Sequence, residues 1–115
     1  MNHADVHTID IAHPPLSSGA AEKVLDDELL HIRFTKEYRV LKVIHGHGTI
    51  EHPAVLKQVV YNWAHRNRAR LRAVIPGEEY DILDAQTQEM RKQCGQVEDP
   101  DLGKSNPGIT LIWIK

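Results

Sequence analysis

His45-Gly46-His47-Gly48-Thr49 is the segment whose residue types and spacing point most directly to chemistry. Two glycines alternate with two histidines, and a hydroxyl follows. Glycine tolerates positive φ and lets a ligand approach the backbone closely. The segment directly follows the apolar run Val40-Leu41-Lys42-Val43-Ile44, and a helical pattern resumes at Pro53. A turn between a strand and a helix presents N–H groups and the positive end of a helix dipole, which suits an anion. On this reading His45, Gly46, His47, Gly48 and Thr49 hold a phosphodiester, with His45 or His47 donating a charge-assisted hydrogen bond. An imidazole with a pKa of about 6.5 is also suited to proton transfer in phosphodiester cleavage. The competing reading is a tight turn whose glycines serve geometry alone.

Asp10 and His13 form a second candidate pair. An aspartate at a strand end is placed to orient a histidine, activate a nucleophile or hold a divalent cation such as magnesium or manganese. The plainer alternative is a carboxylate closing a strand and a surface histidine before the Pro14-Pro15 turn. Arg66, Arg68, Arg70 and Arg72 are the dense basic cluster. Their period of two puts them on one face if the stretch is extended. Guanidinium groups suit phosphate, but arginine also guards sheet edges against aggregation. His45, His47 and His52 have spacings compatible with zinc or nickel, without the Cys/His or HExxH framework that would make a metal site specific.

These residues need a scaffold. The chain has 115 residues, a net charge of −2 and one cysteine, Cys94, so one domain is expected and neither a disulfide framework nor a CxxC zinc site is available. The charge balance gives no global pull toward polyanions, so any such binding rests on a local patch. No apolar run is long enough to span a bilayer, and the first residues lack signal-peptide character, which makes the cytoplasm the expected compartment.

Residues 1–6 read as a flexible leader and 7–12 as a short strand. Ser17-Ser18 then caps a helix whose apolar stripe is Ala21, Val24, Leu25, Leu29 and Ile32. A buried strand covers 39–45, with Lys42 its main interruption, and a second helix opening at Pro53 carries Leu56, Val59, Val60 and Trp63. Leu71–Ile75 is a third strand, and 79–95 a helix with Leu83, Thr87, Met90 and Cys94 in register. Ile109–Ile114, apolar on both faces, is an interior strand. Trp63 and Trp113 belong to the core, and Tyr80 is expected to be exposed. The acidic residues Glu78, Glu79, Asp81, Asp84, Glu98, Asp99 and Asp101 read as solvated helix starts and loops, with restriction of access to the site as a sharper alternative. The fold class is α/β, a two-layer sandwich with a mixed sheet of about four strands in the order βαβαβ(α)β.

With these elements in place, the chain resembles the Smr domain, the small MutS-related domain. Val43-Ile44-His45-Gly46-His47-Gly48 matches that family's HGxG signature in sequence and position. Ile9-Asp10-Ile11 stands where the family has its LDLHG motif, one helix earlier. The element order matches if 79–101 is an insertion in a single domain spanning 7–115. Ala12 occupies the motif's histidine position, and a histidine follows one residue late as His13. The glycine-rich loop before the last strand has its counterpart in Gly103–Thr110. The resemblance implies a two-layer α/β fold and RNA or DNA as the partner. Some members nick DNA or cleave RNA, and others only bind. It therefore leaves two functions open, an endonuclease using Asp10 with His13 or His45, and a binding module with a degenerate catalytic motif. A histidine-rich metal- or anion-binding protein and a protein-docking domain are the readings outside that family.

Overall fold

The computed structural model describes residues 6–36, 39–48, 55–94 and 99–115. Thr49, His52, the expected helix start at Pro53, Glu98 and the first five residues of the leader lie outside the described residues. The chain runs β1 (Val6–Asp10), α1 (Ser18–Thr35), β2 (Val40–Ile44), α2 (Val55–Arg66), β3 (Leu71–Pro76), α3 (Ala85–Cys94) and β4 (Ile109–Ile114). Short 3-10 turns at Arg68–Arg70 and Gly77–Glu79 flank β3.

The sheet order is β1-β2-β4-β3. β1 is parallel to β2, and β4 is antiparallel to both β2 and β3. The two central strands are mostly apolar and are buried without alternation, because both of their faces are covered. β1, β2 and β3 all point the same way, so their carboxyl ends gather at one edge with the start of β4. Asp10, Ile44 and Ile109 are register partners there.

α1 starts where the hydroxyl of Ser17 accepts from the Ala20 N–H at 3.2 Å, as the serine pair predicts. Its stripe Ala21, Leu25, Leu29 and Ile32 is buried against α2 and one face of the sheet. The indole N–H of Trp63 donates to Asp26 at 2.8 Å and ties the two helices together. Trp113 lies in the core on the opposite face, with Ile75, Tyr80, Met90 and Cys94. The two layers are therefore as expected, and α3 adds partial cover to the second face.

Three expectations change. The third helix begins at Ala85 rather than 79, because the Asp84 carboxylate caps it by accepting from the Thr87 N–H at 2.9 Å. Leu83 consequently lies outside the helix and is 84% exposed. Tyr80 is buried rather than exposed, and its hydroxyl donates to Asp99 at 3.0 Å. Burial and the nearby Asp99 carboxylate raise the Tyr80 pKa well above the usual phenol range. The acidic segment is not merely solvated. Lys42, buried in the middle of β2, donates to Asp99 and to Asp101 at 2.7 Å. A buried ammonium needs such partners, and the segment before β4 supplies them.

Candidate active site at the carboxyl edge of the sheet

Immediately after β1 the chain turns back on itself. The Leu16 N–H donates to the Ile11 carbonyl at 2.9 Å. The Asp10 carboxylate fixes this turn by accepting from the backbone N–H of Ala12 at 2.8 Å and of His13 at 3.1 Å. It also accepts from the His13 ring, whose Nδ1 lies 3.0 and 3.1 Å from its two oxygens. The turn thus returns His13 to Asp10 despite its one-residue displacement in sequence. These hydrogen bonds, that from Ala12 first, hold the Asp10 pKa below the usual carboxylate range. With Nδ1–H committed to the carboxylate, Nε2 is the nitrogen left to accept or deliver a proton. The His13 side chain is 71% exposed, so solvent and ligands reach it.

His45 is positioned differently. It is 3% exposed and packs edge-on to Tyr61. Its Nδ1 lies 2.6 Å from the Gly46 carbonyl and its Nε2 2.8 Å from the Thr110 hydroxyl. A carbonyl only accepts, so Nδ1 carries the proton and Nε2 accepts from Thr110. Desolvation lowers the His45 pKa, against the opposing hydrogen bond to Gly46. The ring is a brace between β2 and β4, with neither nitrogen turned toward solvent. His47 is exposed at the rim.

Gly46 and Gly48 have φ of 74° and 72°, the left-handed conformation that favours glycine. The loop is anchored from β4's side. The N–H groups of His45 and Gly46 both donate to the Gly108 carbonyl, at 2.9 and 3.0 Å. Gly108 is held in turn by its own N–H donating to Asn106 Oδ1 at 2.8 Å. A side chain at Gly77 would begin 1.9 Å from the Asn106 carbonyl, so only glycine permits that close approach. Asn106, Gly108 and Thr110 are thus site-building residues; motif reading placed them in the glycine-rich loop before β4 but gave none of them a part in the site. Their signal was the Asn106-Pro107-Gly108 turn just before β4.

Two adjoining clefts, of about 420 and 400 Å³, share His13, Gly46 and Gly48 as walls. The first also reaches Ser17 and Ser18 at the start of α1 and Val55 and Leu56 at the start of α2. Neither helix carries an acidic residue in its first turn. Two helix N-termini, positive φ glycines and an imidazole thus converge on one concave edge, an arrangement suited to a phosphate.

The arginine cluster does not join it. The segment is not extended. Arg66 ends α2, Arg68 and Arg70 sit in a 3-10 turn, and Arg72 lies on edge strand β3. Arg66 pairs with Glu22 at 3.3 Å, Arg68 donates to the His65 carbonyl at 2.7 Å, and Arg72 stacks over Trp113. None of the four lines either cleft. As for a cation, no group of three or more His, Cys, Asp or Glu side chains converges among the described residues. The Asp10 carboxylate is already engaged by two N–H groups and an imidazole, a poor fit for a resident metal ion.

Among the described residues no helix is long and apolar enough to cross a membrane. No protein-family model matches the sequence, and no curated protein matches it. The structure is similar to the crystal structure of the Smr domain of Thermus thermophilus MutS2, with a TM-score of 0.56 and 17% identity. The likeness covers 96% of this chain and 98% of that one. A match this complete at so low an identity is a match of architecture, and the chain has the Smr fold.

Proposed function

We propose that this chain binds nucleic acid at the carboxyl edge of its sheet and cleaves phosphodiester bonds there. The observation that supports this best is the Asp10–His13 pair, hydrogen-bonded at 3.0 Å, at the mouth of clefts walled by Gly46 and Gly48. The helix N-termini receive a phosphate beside the positive-φ glycines, while the His45 and Gly46 N–H groups stay with the Gly108 carbonyl. His13 Nε2 accepts the proton of the attacking hydroxyl as the new P–O bond forms, and Asp10 steadies the resulting imidazolium. The departing oxygen takes its proton from solvent. His45 is a positioning residue in this scheme, and His47 at the rim contributes a phosphate contact. Thr49, which lies outside the described residues, is assigned the part of a hydroxyl donor in this proposal.

The test uses labelled single-stranded RNA and supercoiled plasmid, each with magnesium, with manganese and with EDTA. Wild type cleaves one of them, and His13→Gln loses roughly 10²- to 10⁴-fold in rate while binding as before. Binding without cleavage by wild type in every condition leaves a binding module with no catalytic role for the pair. No binding to either nucleic acid at low salt overturns the proposal.

A further inference from the structure

At the opposite edge of the sheet lies a cleft of about 520 Å³ that no motif predicted. Its walls are Arg33 and Lys36 from the end of α1, Arg39 before β2, Arg72 on β3 and Lys115 after β4, over a floor of Ile32 and Ile114. Five cations surround it and, among the described residues, no carboxylate side chain lines it. Among the described residues none of the five forms an ion pair, and what sets them apart from other such cations, Arg68 and Lys92 among them, is that all five line one cleft. Arg33 and Lys36 also complement the carboxyl end of the α1 dipole. Arg72 and Lys115 come from strand ends and serve no helix terminus. Arg39 donates through Nη1 to the Gln93 carbonyl, which fixes its guanidinium at the rim. Positive charge gathered in this way repels itself, and a bound polyanion would relieve that repulsion.

We propose that this basic cleft is a second contact for the nucleic-acid backbone, so that one ligand spans both ends of the sheet. The inference rests on the binding reading above. β2 connects the two sites: from Arg39 to His45 are six residues, roughly 20 Å at about 3.3 Å each. That distance corresponds to about six steps of duplex at 3.4 Å. The ligand class is therefore a strand or duplex longer than this span, and its phosphates, not its bases, are what the cleft recognises.

The experiment measures binding against salt for a 20-nucleotide single strand, a 20-base-pair duplex and a dinucleotide, which is too short to bridge. Arg33→Gln with Arg72→Gln is compared with Lys23→Gln with Lys92→Gln, a control of equal charge change. The first pair should lower the slope of log K against log salt by about 1.4 for the single strand or 1.8 for the duplex. Its dinucleotide affinity should equal that of wild type. Wild-type slopes for both long ligands, or an equal drop in the control pair, overturn the second contact while leaving the first site standing. Failure of wild type to bind any of the three overturns both.

Discussion

The turns that leave the carboxyl ends of β1 and β2 each carry a histidine, and the fold uses the two in opposite ways. His13 is exposed, hydrogen-bonded to a carboxylate, and has one nitrogen available. His45 is enclosed, with a carbonyl on one nitrogen and a hydroxyl on the other. The difference arises from the chain around them. The β1 turn is closed by Asp10 and leaves the ring outside, while the β2 turn is pinned by Gly108 and draws the ring inward. An imidazole becomes a reagent or a brace according to whether its second nitrogen is already satisfied.

The contrast is open to direct attack. His45→Leu strips partners from the Gly46 carbonyl and the buried Thr110 hydroxyl, which should cost about 1–3 kcal/mol of folding stability. A urea midpoint shift checks this, and residual cleavage per folded molecule should stay within a few-fold of wild type. An intact midpoint would mean that His45 braces nothing. Asp10→Asn keeps an acceptor for the turn but removes the charge facing His13. Two unit charges 3 Å apart in water-like surroundings exchange roughly 1.4 kcal/mol, so cleavage should fall about tenfold. Stability should stay within about 0.5 kcal/mol. A collapse of the fold would assign Asp10 to structure instead.

The smallest effect is on pH dependence. The folded His45 pKa lies below 6.5, so the unfolded chain binds more protons between the two values and stability declines as pH falls through that window. Between pH 7 and pH 6 this group contributes at most roughly 0.7 kcal/mol of loss. Paired melts of wild type and His45→Leu should show the larger decline in wild type. His45 would prove accessible to protons in the folded state if the two declined equally.

Local signals carried much of this structure. Ser17 marked the start of α1, and the predominantly apolar, non-alternating runs of β2 and β4 marked the centre of the sheet. What escaped depended on partners distant in sequence. Tyr80 is buried because Asp99, 19 residues on, accepts its hydroxyl. Lys42 looked like an interruption, and only the docked Asp99 and Asp101 make it a buried anchor. The arginines failed for a local reason: a period-two argument presumes extension, and α2 and the turn after it occupy Arg66 to Arg70 instead. The Asp10–His13 pair was legible as residues but not as geometry, since a one-residue slip is decided by a turn closed between Ile11 and Leu16.

β4 follows every other strand in the chain yet lies between β2 and β3. During synthesis, β1, α1 and β2 emerge as a unit able to pair, while β3 has no neighbour until residues 109–114 leave the ribosome. Up to that moment the nascent protein exposes two raw sheet edges, one of them the Leu, Val and Ile of β2. Unpaired edges of this kind template association with other chains. A stop codon before Ile109 should therefore yield not a slightly shortened protein but an aggregating one, with neither end of the sheet assembled.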